Sequence, residues 1–191
     1  MKVLLINGSP HKNGETASAL SVVEKSLQEQ GIETSWFQIG SQPIRGCINC
    51  CSCKQTNRCV FTDDKCNEMI ENLLQADGVI IGSPVYFAGP NGALCALLDR
   101  AFYAASNFGH LFVGKPAAAV VSCWRAGATA SLDRINKYFS FSEMPVVSSN
   151  YWNMKHDGVD PYGNEIMEKL GINMAKMLKV IDEQYKKSDE T

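Results

Sequence analysis

Five of the eight cysteines in this 191-residue chain fall within thirteen positions: Cys47, Cys50, Cys51, Cys53 and Cys59. The stretch reads "GCINCCSCKQTNRCVF", and its types and spacing suit four chemistries: an iron–sulfur ligand run, a zinc knuckle, a disulfide knot or an idle group of thiols. Two successive x2 gaps let one tight loop set three thiolates, Cys47, Cys50 and Cys53, on one face of a cubane, with Cys59 arriving after a turn. Structural zinc sites more often close a tetrahedron from two separated cysteine pairs. The compartment bears on the disulfide reading. The apolar run at the start is only Val3 to Ile6, too short for a signal-peptide core, and no later run has the length of a membrane span. A cytoplasmic protein is expected, in which a dense thiol patch reads as metal-binding or redox-active.

Four further stretches hold groups with chemistry to offer. "NGSPHKNGET", 7–16, combines two glycines, the Ser9 and Thr16 hydroxyls and the Lys12 charge with the start of a helix, a setting for a phosphate. It is neither a Walker A loop nor G-x-G-x-x-G, and His11 reads as a solvated loop residue. "GSPVYFAGPNG", 82–92, stiffens two adjacent aromatics, Tyr86 and Phe87, between prolines and glycines and suits a flat, polar-edged heterocycle. The alternative is that both rings fold into the core. "CWRAGATAS", 123–131, adds Trp124 and the cation Arg125, suited to an anionic ring, a polarised carbonyl or a phosphate, or to a surface ion pair. "SSNYWNMKHDG", 148–158, is a hydrophobic loop able to close a site or meet a second subunit.

The elements that must position these loops alternate. Strands are expected at 2–6, 34–39, 77–82, 117–124 and 145–149. Helical spacing of apolar residues marks 14–31, 67–75, 92–105, 128–139 and 164–185. Short apolar strands buried on both faces and alternating with helices give an α/β fold, a doubly wound parallel sheet. Ligands in such folds lie beyond the carboxyl ends of the strands, which is where all these loops fall. At 45% hydrophobic and 20% charged residues the composition is globular rather than disordered. A net charge of −2 without a basic run argues against nucleic acid as partner, and the lack of a long apolar run argues against a membrane.

Together the loops resemble the flavodoxin-like NAD(P)H-dependent FMN reductases. "GSPHKNGETASAL" resembles that family's phosphate loop, "GSPVYFAGPNGALCALLDR" its flavin-ring loop and "YWNM" its late aromatic loop; His11 stands where the family often has arginine. The resemblance implies a single flavodoxin-like FMN-binding domain over 1–191: a five-stranded parallel sheet in three α/β/α layers, with a cysteine-rich insert at about 45–66. It implies FMN phosphate contacts from Ser9, Lys12, Asn13, Gly14 and Thr16. It implies ring contacts from Pro84, Val85, Tyr86, Phe87, Ala88 and Gly89, with Cys123, Trp124 and Arg125 on the other side. The flavin then carries the hydride chemistry and no catalytic triad is expected; Arg125 and Tyr86 are the candidates for tuning or substrate contact.

The function expected on this basis is transfer of electrons from NAD(P)H through FMN to a small acceptor such as a quinone, flavin, nitro or azo compound, metal, or to a redox protein. A homodimer or homotetramer is implied. The cysteine spacing resembles that of the iron–sulfur flavoproteins, so an alternative is FMN with a [4Fe-4S] cluster on Cys47, Cys50, Cys53 and Cys59, working in ferredoxin-linked electron transfer. Cys51 and Cys66 are surplus to that set. Without a cluster the segment is a loop framing the flavin. A flavin-bound regulatory module without turnover is the third reading.

Overall fold

A computed structural model describes residues 1–189. Five parallel strands form its sheet in the order β2-β1-β3-β5-β6: β1 (Lys2–Asn7), β2 (Glu33–Gln38), β3 (Gly78–Tyr86), β5 (Ala117–Cys123) and β6 (Met154–His156). A two-residue strand, β4 (Gly89–Pro90), folds back antiparallel on the end of β3. The helices are α1 (Glu15–Glu29), α2 (Cys53–Thr56), α3 (Cys66–Gln75), α4 (Gly92–Gly109), α5 (Ala128–Phe141) and α6 (Pro161–Asp189). Among the described residues no helix is long and apolar enough to cross a membrane.

The layers follow from the side-chain pattern. Val3, Leu4, Leu5 and Ile6 are fully buried, and so are Val79, Ile80 and Ile81, because both faces of the central strands are covered. Leu4, Ile6, Val79 and Ile81 face a core shared with α3, α4 and α5. Val3, Leu5 and Ile80 face one shared with α1 and α6. Leu20, Val23 and Leu27, spaced for one helix face, are the buried stripe of α1.

Strand order reverses between β1 and β3, and Asn7 pairs with Gly82 at that edge. This is the switch point at which open α/β sheets bind ligands.

The strand expected at 145–149 does not form. Val146 makes only an isolated bridge to Ala117, and its side chain is 44% exposed. The sheet position beside the end of β5 belongs instead to Met154–His156, paired from Val121 to Cys123. The earlier stretch does bond to β5, Ala117 N–H donating to the Pro145 carbonyl and Val147 N–H to the Ala117 carbonyl, but Pro145 itself brings no N–H to a ladder. The later segment pairs over three residues and is held further by His156 N–H donating to Asp160 and Val121 N–H to the Asn153 carbonyl.

Candidate functional site

Three crossover loops meet at the carboxyl edge of β1, β3 and β5. Gly8 N–H donates to the Gly82 carbonyl at 2.8 Å, so the loop after β1 runs against the end of β3. A Cβ on Gly8 would stand 2.4 Å from Leu94 Cδ2 and 2.5 Å from the Gly82 oxygen, so only glycine fits. Asn91 joins the same two loops. Its Nδ2 donates to the Gly8 carbonyl at 2.8 Å, its Oδ1 caps α4 by accepting from Ala93 N–H, and its own N–H donates to Ser83 Oγ. Beneath the phosphate-type loop, Asn7 Nδ2 donates to Gln38 Oε1, and Gln38 Nε2 donates to the Ser9 carbonyl.

The residues expected to hold a phosphate are gathered at the start of α1. Ser9 is buried, with its Oγ accepting from His11 N–H; Lys12 and Asn13 are exposed; Gly14 is the N-cap. Glycine supplies no capping side chain, so the first-turn amides of α1 receive none, while those of α4 are served by Asn91. An uncapped amide turn beside a lysine is a fitting seat for a phosphate. Thr16 differs from the others: it is buried, and its hydroxyl pairs with Ser122 Oγ at 2.8 Å, tying α1 to the end of β5.

The loop expected to hold a ring is a tight hairpin. Phe87 and Ala88 both have positive φ, 49° and 65°, between the paired Tyr86 and Gly89. This is the primed two-residue turn that usually carries Asn-Gly. Gly127 presses against it: a Cβ there would lie 2.6 Å from Ala88 Cα and 2.9 Å from Val85 Cγ1. Pro84 is buried and Val85 and Gly89 half-buried, while Tyr86 and Phe87 point outward, Phe87 without any cover. Trp124 is 75% exposed, with the Arg125 guanidinium 4.8 Å from its ring centre. These aromatic faces beside backbone groups fit a flat heterocycle. Cys123 is buried at the end of β5, 3.8 Å from His156 Nδ1, and burial pushes its thiol up, as do Asp157 and Asp160.

The cysteine segment makes a second pocket. Cys47, Cys50, Cys51, Cys53 and Cys59 line it together with Ile48, Val60 and Phe61, against Arg100, Tyr103 and Ala104 of α4. Arg100 lies eight residues into α4, so the pocket lies about 12 Å along that helix from the flavin-type hairpin. Asn49 and Cys51 have φ of 53° and 56°, and Ser52 follows in the right-handed region. Such alternation turns successive N–H groups toward one concavity and suits an anion or iron–sulfur cluster.

The backbone and side chain of Ser52 hydrogen-bond to Cys50 and lower its pKa, favouring the thiolate. Cys66 is buried behind this pocket rather than lining it, beside the Cys59 thiol, and burial, chiefly, pushes its own thiol up to about 12. All eight cysteines are free. No three His, Cys, Asp or Glu among the described residues converge as for a single metal ion. A cubane makes no such demand, because each thiolate binds its own iron.

Asn91, Ser83, Ser122, Gln38, Gly127 and Arg100 were not among the sequence candidates. Asn91 had a readable signal, since it stands immediately before the apolar run of α4 as an N-cap would. Arg100 had none.

The sequence matches the model of the family described as NADPH-dependent FMN reductase over residues 1–158. An iron–sulfur flavoprotein of Methanocaldococcus jannaschii is 30% identical over 192 residues, 95% of this chain and 99% of the relative. Another, of Methanosarcina thermophila, is 26% identical over 194 residues, 98% and 100% of the two chains. Among solved structures, a flavodoxin, WrbA-like protein from Agrobacterium tumefaciens superposes with a TM-score of 0.68 at 14% identity, covering 94% of this chain and 97% of that one, a likeness of fold. With the uncapped α1 turn, the aromatic hairpin and the sheet's switch point on one edge, the chain belongs to the NADPH-dependent FMN reductase family and is an FMN-binding oxidoreductase of flavodoxin-like fold.

Proposed function

We propose that this chain transfers electrons from NAD(P)H to a small acceptor or a redox protein, and that it holds a [4Fe-4S] cluster on Cys47, Cys50, Cys53 and Cys59 in addition to FMN. The flavin supplies two-electron hydride acceptance and the cluster one-electron transfer. Ser9, Lys12, Asn13, Gly14 and the first amides of α1 hold the phosphate. Thr16 acts from behind, bonded to Ser122. Pro84 to Gly89 form one wall of the ring site, and Cys123, Trp124 and Arg125 the other, with Arg125 supplying positive charge at the ring edge.

The observation that carries the cluster is the gathering of all four proposed ligands in one pocket on α4, and the names of the relatives in Methanocaldococcus and Methanosarcina support it. The uncovered aromatics Phe87, Trp124 and Trp152 support assembly with a second copy, and the reducing cytoplasm is the setting that keeps these thiols available.

A second reading keeps FMN and NAD(P)H without iron, the cysteines serving only as a loop. It is supported by the match to the family described as NADPH-dependent FMN reductase. An absorbance spectrum and iron count on anaerobically purified protein, followed by addition of NADPH, separates the two. Broad absorbance with about four iron per chain and bleaching of the flavin is expected. Yellow protein without iron that still bleaches refutes the cluster and leaves the reductase; FMN-loaded protein that no nicotinamide reduces refutes the donor.

A further inference from the structure

The Arg100 side chain is 1% exposed and faces Asp64 at 5%. A pair taken this far from water loses about as much hydration as its attraction returns, so stability alone does not explain it. The guanidinium also reaches further. Both terminal nitrogens fork onto the Asp64 carboxylate, Nη2 at 2.9 Å, and Nη1 also donates to the Arg45 carbonyl at 3.1 Å. The N–H on Nε donates to Cys59 Sγ at 3.2 Å. Phe61 covers the group, its ring centre 5.2 Å from the guanidinium carbon.

One side chain therefore ties the entry of the cysteine segment, at Arg45, to its exit, at Cys59 and Asp64. Cys59 is fixed from its backbone too: its N–H donates to Asn67 Oδ1 at 2.8 Å, and Asn67 Nδ2 donates to its carbonyl at 3.0 Å. Because Asp64 cancels the guanidinium charge at range, what reaches the sulfur is a directed, short-range N–H dipole.

We propose that Arg100 is the positioning residue of the cluster, fixing the Cys59 sulfur as fourth ligand and, through its Nε–H, holding the cluster's reduction potential above its value without that bond. This rests on the cluster reading above. Donation to a ligating sulfur withdraws negative charge from the cluster and eases its reduction. Arginine is required because only its planar fork can hold Asp64 with one edge and present a fixed N–H with the other.

The test uses Arg100→Lys, which keeps a cation for Asp64, and the double variant Arg100→Met with Asp64→Asn, which removes both charges without stranding either. Each is purified anaerobically with FMN and compared with the parent for FMN, iron and sulfide content, midpoint potential, and the electron paramagnetic resonance of the reduced cluster. Expected are unchanged FMN content, a lower midpoint in both variants with the larger fall in the double, and an altered resonance. A double variant that keeps FMN but loses iron also bears out the positioning role. Iron-loaded variants whose midpoint and resonance match the parent overturn it. A parent that takes up neither iron nor sulfide overturns the cluster reading and this proposal with it.

Discussion

The edge proposed for the flavin and the cysteine pocket are reached by loops from the same edge of the sheet, yet they are built by different means. The flavin edge is closed by backbone: Gly8 against Gly82, Gly127 against the Phe87–Ala88 turn, and Asn91 across both loops. No side chain could be added at Gly8 or Gly127 without moving main chain. The cysteine segment leaves Cys47 and Cys50 exposed on an irregular stretch, and its order comes from side chains at its exit: Asn67, Asp64 and Arg100. A flat organic cofactor gains affinity from walls that stand before it arrives. A metal cluster needs only ligands within reach, because metal–sulfur bonding contributes the closure energy itself.

Breaking the backbone-built side should cost most. Gly8→Val puts a branched side chain where a Cβ already meets Leu94 and the Gly82 carbonyl. A loss of more than ~3 kcal/mol is expected in urea unfolding, with FMN retention lost. Unchanged stability would show that the two loops are not in fact close-packed.

The side-chain-built half is probed next by Asp64→Asn, which strands a buried guanidinium and should cost about 3 kcal/mol. Its pH dependence is a sharper sign. Burial would raise the Asp64 carboxyl, but hydrogen bonds from Arg100, the Cys66 and Arg45 backbone, and the Arg100 charge together hold it below its usual value. Its contribution is therefore complete above about pH 4, the unfolded value, and disappears as pH falls through the lower folded value. Acid unfolding followed by circular dichroism should show this dependence in the parent and not in the variant. The smallest stability effect belongs to the uncovered rim. Phe87→Ser should change unfolding by less than ~0.5 kcal/mol yet weaken FMN binding in a fluorescence titration, and equal FMN affinity would remove Phe87 from the ring site.

The contrast also explains what could be read from sequence. The central strands and the edge they point to were legible because short apolar runs have little else to become. The 145–149 segment misled because its valines read as a strand, while the true edge strand, Met154–His156, carries a lysine and a histidine and is fixed by partners rather than by pattern. The Phe87–Ala88 turn lacked the Asn-Gly signal that its φ values call for, since Gly127 supports it from a loop 40 positions away. The cysteine spacing was plain. What it could not disclose is that Arg100, on the buried face of a largely apolar helix, would meet Asp64 and the Cys59 sulfur.

The separation along the chain of the bonds that close each region sets an order of assembly. Asn91 finds Gly8 across 83 residues and Thr16 finds Ser122 across 106, whereas Cys59 and Asn67 are 8 apart and Arg100 and Asp64 36. Closing longer loops costs more entropy and slows contact formation. The shorter bonds of the thiol-bearing lobe are therefore expected to form first, from the chain's own neighbourhood. The edge proposed for FMN is expected to be completed later, when β5 brings Ser122 and Gly127 into register.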